Sequence, residues 1–216
     1  MRNLLICLIF LAPAGALACG NEVTLSVDEQ TRAVAKAEKF LEADEHGKAL
    51  KTLLQAAQMS PMHARFGTTF TDEGLRARAL RIAAAVLVRT DGTLSARFSA
   101  ARIKRGGSEA RTQLAWANRM LAEARAAAPE DPATAALVAE GLARTGEGVQ
   151  AQALLEDLAT RDVLPDAHGW RTLAVLRGAA GDAAGRDAAL ERCKLTAVKA
   201  KRCALKPGEG EPPATP

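Results

Sequence analysis

The stretch His46-Gly47-Lys48-Ala49-Leu50-Lys51-Thr52-Leu53-Leu54-Gln55-Ala56-Ala57-Gln58-Met59-Ser60-Pro61 spaces its apolar positions in a helical rhythm. Residues 49, 53 and 56 stand at i, i+4 and i+7, so a helix brings them onto one face. Small, large, small on a buried face lets a second helix approach closely at the alanines while the leucine fills the space between. Pro61 cannot continue the helix and restricts the residue before it, so the element stops there. Sixty-eight residues downstream, Ala117, Leu121, Ala124 and Pro129 make the same four choices at the same offsets. Elsewhere Val, Ile and Thr are scattered and no stretch alternates with period two, so strands are not expected.

Half of 68 is 34, the period of a two-helix repeat unit. With a first unit from Gln30, Ala37 is the small residue of helix A, Phe40 packs behind it, and Ala49 opens the inner face of helix B. Steps of 34 put further units near Ala64, Phe98 and Pro132, and a last one near Ala167. The fourth unit has Ala135, Val138, Ala139 and Leu142 in helix A, Gly146 in the turn, and Ala151, Leu155 and Leu158 in helix B. The fifth has Trp170, Leu173 and Ala174, then Gly181 in the turn, with Leu190 and Cys193 on helix B; Arg186 stands where a small residue is wanted. In the second unit Ala83 and Leu87 fit but Thr90 is a poor third anchor. In the third, Arg105 replaces a small residue and Gly106-Gly107 breaks the helix.

From about Val27 to Cys193 the chain therefore resembles a tetratricopeptide-type repeat array. The expected fold is all-α: an α-solenoid of antiparallel helix pairs, about four to five units with the second and third degenerate, closed by a C-terminal capping helix. A generic up-and-down helical bundle is the alternative. Alanine exceeds a fifth of the residues, tyrosine is absent and aromatics are 3%, which favours helix and close helix contacts in either case.

The ends are read separately. Met1-Arg2-Asn3, the apolar run Leu4 to Ala12 and the small residues Ala16-Leu17-Ala18 have the form of a signal peptide over 1–18. The apolar core is about half the ~20 residues a membrane span needs. Cys19 follows at once, as in bacterial lipoproteins, although Ala16 holds the place where that pattern prefers leucine. Lipidation at Cys19 and plain cleavage both remain open. Once Cys7 leaves with the signal, Cys19, Cys193 and Cys203 remain, an odd count. A disulfide between Cys193 and Cys203 resolves it, provided the helix breaks near Thr196-Ala197-Val198, because ten helical residues span ~15 Å while a disulfide needs Cα atoms within ~7 Å. Residues 19–27 are expected as a short linker, 28–203 as the helical repeat domain, and 204–216 as a disordered tail rich in Pro, Gly and Glu.

Candidate chemistry is sparse. The cluster Asp44-Glu45-His46 lies in the first turn and lacks the three or four converging ligands of a metal site, so it reads as a solvated turn. No Ser sits in a G-x-S-x-G elbow, and no cofactor is expected. The net charge of +4 is too small to imply a polyanion partner, and the basic stretch from Arg97 to Arg111 lacks the aromatic interleaving of a nucleic-acid platform. What the repeat resemblance implies is a non-catalytic protein–protein interaction scaffold of the bacterial cell envelope, periplasmic or outer-membrane-associated, holding a partner protein or peptide in its concave groove. The groove positions carried over are Thr31, Val34, Glu38, Leu41 and Glu42, then Glu140 and Arg144, then His168 and Arg171. The alternatives are a structural or biogenesis factor anchored through lipidated Cys19, and an enzyme with an unfamiliar site.

Overall fold

The computed structural model describes residues 19–57, 70, 72–94 and 107–212. The expected signal segment 1–18 and Pro61 lie outside these. Among the described residues the fold is entirely helical, with α1 (Cys19–Glu42), α2 (His46–Ala56), α3 (Glu73–Arg89), α4 (Gly107–Ala127), α5 (Pro132–Arg144), α6 (Gly148–Thr160), α7 (Ala167–Ala179) and α8 (Ala183–Thr196), then a short 3-10 helix Ala200–Cys203. None of the described helices is long and apolar enough to cross a membrane.

Starts and stops follow from a few residues. Asp72, Asp131, Asp166 and Asp182 each stand just before a helix and accept from a first-turn backbone N–H, that of Leu75, Ala133 and Thr134, Gly169 and Gly185 respectively. Pro132 occupies the first turn of α5, where its missing N–H costs nothing. The turns after α1, α3, α5 and α7 share one device. A residue in the left-handed region (Asp44, φ 61°; Gly92, φ 69°; Gly146, φ 91°; Gly181, φ 85°) reverses the chain, and the next N–H, or that of Gly92 itself, reaches back five residues to a carbonyl, as from Glu45 to Phe40 or Glu147 to Leu142.

Helices sequential in the chain pack as neighbours from α1 to α8. In addition α1 packs on α3, α3 on α5 and α5 on α7, while no comparable packing joins α2 to α4, α4 to α6 or α6 to α8. The odd helices thus share one side of the molecule and the even ones the other. The core follows the small–large rule. Leu53, Leu121, Leu155 and Leu173 are fully buried, and so are Ala37, Ala49, Ala117, Ala139, Ala151 and Ala174 around them. In α3 every residue from Ile82 to Val88 is buried, which marks it as the most enclosed helix.

Three expectations need correction. Where units near Ala64 and Phe98 were expected, the described residues hold two helices packed together, α3 and α4, with 58–69 and 95–106 outside the described residues. Ala83 and Leu87 lie on the first helix of that pair, not the second. The 68-residue register between Ala49-Leu53 and Ala117-Leu121 relates α2 to α4. The later step is regular, 35 residues from Pro132 to Ala167 and again from Gly148 to Ala183. The stretch expected as a linker belongs to α1, which begins at Cys19.

Thirdly, the tail is packed as far as the description reaches. Residues 207–210 form a turn, and Glu209 accepts from the Lys206 N–H at 2.9 Å and from the Arg171 guanidinium. Gly210 lies so close to α7 that a Cβ on Gly178 would meet its carbonyl oxygen at 2.1 Å. The Cys193–Cys203 disulfide is present with a Cα–Cα distance of 5.9 Å. The helix ends at Thr196 and Ala197 turns extended (φ −78°, ψ 129°), which is the break the pairing demands.

Candidate functional site

Two charge clusters meet on one side of the molecule. At the C-terminal end of α3, Arg89 points inward with its side chain only 7% exposed. Its Nε and Nη2 donate to the two oxygens of Glu140 on α5, both at 2.9 Å. Nη2 also donates to Asp166 Oδ2 at 2.7 Å, while the other oxygen of Asp166 caps α7 through the Gly169 N–H at 2.9 Å. One guanidinium thus joins three helices. Burial pushes the Glu140 carboxyl above its ordinary range even against Arg89. Burial works the same way on Asp166, but Arg89 and the Gly169 N–H outweigh it and hold that carboxyl low. The difference fits their positions, since Glu140 is enclosed at 4% exposure and Asp166 reaches solvent at 38%.

The second cluster starts at the α1–α2 turn. The left-handed backbone of Asp44 directs its carboxylate across the molecule, where Oδ1 lies 2.9 Å from His168 Nε2 on α7. Oδ2 accepts from Arg202 Nε at 2.7 Å, and Arg202 Nη2 donates to the Glu42 carbonyl at 2.8 Å. These bonds span 124, 158 and 160 residues of sequence, so the first turn and the last segment hold each other. Burial, then the Arg89 charge, depress His168 to about 4 despite Asp166 and Asp44. At neutral pH the ring is uncharged, and its Nε2–H donates to Asp44. Burial lowers His46 as well, helped by Arg89. His46 Nε2 is buried and has no hydrogen-bond partner.

Between the clusters opens a cleft of about 330 Å³. Its walls come from the α1–α2 turn, the ends of α3 and α5, the first turns of α7, and the segment from Lys201 to Lys206. Six cationic residues line it: Arg89, Arg144, Arg171, Lys201, Arg202 and Lys206. Three carboxylates, Asp44, Asp91 and Glu140, face them.

No protein-family model, curated protein or solved structure matches this chain. The cleft itself therefore carries the functional reading.

Of the groove positions carried over from the repeat resemblance, Glu140, Arg144, His168 and Arg171 come together here. The others do not. Val34 is fully buried and belongs to the core, because the first turn of contacts with α2 and α3 needs an apolar residue there. Leu41 is half-buried against the same core. Thr31 is exposed on α1. Glu38 is engaged by Arg78 of α3, with Nη2–Oε2 at 2.7 Å. Glu42 contributes only its backbone carbonyl. Sequence reading missed Arg89, Asp166, Lys201, Arg202 and Lys206, and took Asp44-Glu45-His46 for a solvated turn. Asp166 was legible as a helix cap, and Asp44-Glu45-His46 as a polar cluster, but its partner His168 lies 124 residues away.

Proposed function

We propose that this protein is a non-catalytic binding module, an α-solenoid of four antiparallel helix pairs similar to tetratricopeptide arrays, whose inner cleft captures a polar, net-acidic segment of a partner protein. The observation that carries this reading is the cleft lining, six cations against three carboxylates, with three of the cations, Lys201, Arg202 and Lys206, from the segment after α8. The packing pattern supports it. Odd helices touching one another while even ones splay is what a stack curved around its first helices requires, and curvature of that kind makes a concave binding surface. The cations are also pre-positioned. Arg89, Arg171 and Arg202 are each fixed by a carboxylate, so a ligand meets ordered donors and little side-chain entropy is lost on binding. Lys201 and Lys206 at the mouth provide the excess positive charge.

The test is capture of a fluorescent peptide carrying alternating Glu and Ser residues. Charge reversal at Arg144 and Arg171 should abolish it, while reversal at Glu38 and Glu42, outside the cleft, should leave it within twofold. The opposite pattern rejects the cleft as the binding surface. An envelope location with attachment through Cys19 is part of the same reading, supported by the amino-terminal sequence. Cell fractionation of a Cys19→Ser variant decides it, since release from membranes is expected only for the lipidated form.

A further inference from the structure

Asp44, His46 and His168 line the same cleft, and a metal ion there does not depend on peptide capture. They come from two remote parts of the chain, the α1–α2 turn and the first turn of α7. Each can present one ligand atom such that all three lie within 4.8 Å of one another. We infer that these three side chains form a binding site for a divalent transition-metal ion of the zinc class.

The donor set selects the ion. Two imidazoles and one carboxylate suit zinc, copper or nickel, whereas calcium and magnesium want oxygen alone. Tetrahedral zinc with bonds of about 2.0–2.1 Å has ligand–ligand edges of roughly 3.3 Å. The Asp44–His168 separation of 2.9 Å needs to open by a few tenths of an ångström, and the widest separation closes by about 1.5 Å, within the reach of side-chain rotation. His168 then binds through the Nε2 lone pair with its proton on Nδ1, so the ring stays neutral.

His46 supplies a second, independent observation. Its Nε2 is buried and has no hydrogen-bond partner, and a polar atom left in that state is costly. A metal ion satisfies it. The neighbouring arginines do not forbid a dication. Arg89 is matched by Glu140 and Asp166, and Arg202 by Asp44. The five fixed charges sum to −1 before an ion arrives. Arg202 also holds the distal oxygen of Asp44, the outer-shell support that orients a ligating carboxylate. Three protein ligands beside the cleft leave a coordination position for an anionic group of whatever occupies it.

The experiment is calorimetric titration of the untagged full chain with Zn²⁺, alongside His46→Gln, His168→Gln and, as a control, His63→Gln. One ion per chain is expected, with affinity lowered tenfold or more in the first two variants and unchanged in the third. Because a site variant could also lose its fold, imidazole NMR signals of the native chain are followed during the same titration. Zn²⁺ should shift the signals of two histidines and leave that of His63 in place. Binding that ignores both substitutions, a shift at His63 alone, or Mg²⁺ competing at equal concentration overturns the assignment.

Discussion

Replacing Arg89 by methionine removes the guanidinium that joins α3, α5 and α7 while keeping most of the apolar stem. Three short charge-assisted hydrogen bonds are lost, at 2.9, 2.9 and 2.7 Å. The two acceptors suffer unequally. Asp166 is 38% exposed and keeps its bond to the Gly169 N–H, so water and the helix cap compensate it in part. Glu140 is 4% exposed and has no second cation in contact. Its carboxylate is left in the core, to remain charged without a partner or to take up a proton. Breaking a buried pair from one side costs about 3–5 kcal/mol, a large share of the roughly 5–15 kcal/mol that holds a domain together. At about 2–4 °C per kcal/mol for a chain of this size, the thermal midpoint should fall by roughly 6–20 °C. Urea unfolding followed by far-ultraviolet circular dichroism measures the free energy directly, and an unchanged m-value confirms that the native state is what changed. The decisive comparison is the double variant Arg89→Met/Glu140→Leu. With both charges gone, the site becomes an ordinary apolar contact and stability should return to within about 1 kcal/mol of native. A single variant that loses less than about 1 kcal/mol, or a double variant no better than the single, would refute the reasoning.

Further outcomes follow from other parts of the fold. Leu155→Ala, at a fully buried position in the core formed by α5 to α8, should cost about 3–5 kcal/mol by the same urea assay. Asp131→Ala should cost about 1 kcal/mol at pH 7, since its carboxylate caps α5. Burial raises that carboxyl, but bonds from Thr134, from the Ala133 and Thr134 N–H groups and from Arg81 hold it below its ordinary value of 3.8. Its contribution is therefore present above the ordinary carboxyl value and is lost as the pH falls below it, so variant and native stabilities should converge in acid. Reducing the Cys193–Cys203 disulfide should cost about 2–3 kcal/mol on a ten-residue closure, read as a drop in urea midpoint with added dithiothreitol. Gly178→Ala should push residues 207–210 off α7, detected as faster hydrogen exchange there with the helices unchanged.

Much of the architecture was written in local chemistry. Gly146 and Gly181 mark turns because a reversed backbone needs φ above zero, and Asp131-Pro132 marks a helix start because both residues suit orphan N–H groups. The pair α5–α6 was legible for that reason, as was the helix break that the Cys193–Cys203 spacing demands. The middle misled because α3 is buried all round from Ile82 to Val88. An enclosed helix has no polar face, so periodicity cannot say which neighbour it serves. The cleft was half legible. Glu140, Arg144, His168 and Arg171 were carried over from the repeat resemblance. Arg89 and Arg202 were not, because their partners are selected by how the helices pack, and no window of sequence contains both ends of a bond spanning 158 residues.

The grip of Arg202 on the first turn alters how the fold should come apart. Repeat arrays normally fray from whichever end is weaker, since each unit leans only on its neighbours. Here the closing segment fastens onto the opening one like a buckle, anchored at its own base by Cys203. Cutting the chain before Ala200 would therefore release not only the end of the chain but also the α1–α2 turn, 158 residues upstream of Arg202, and melting should proceed as one event rather than in stages.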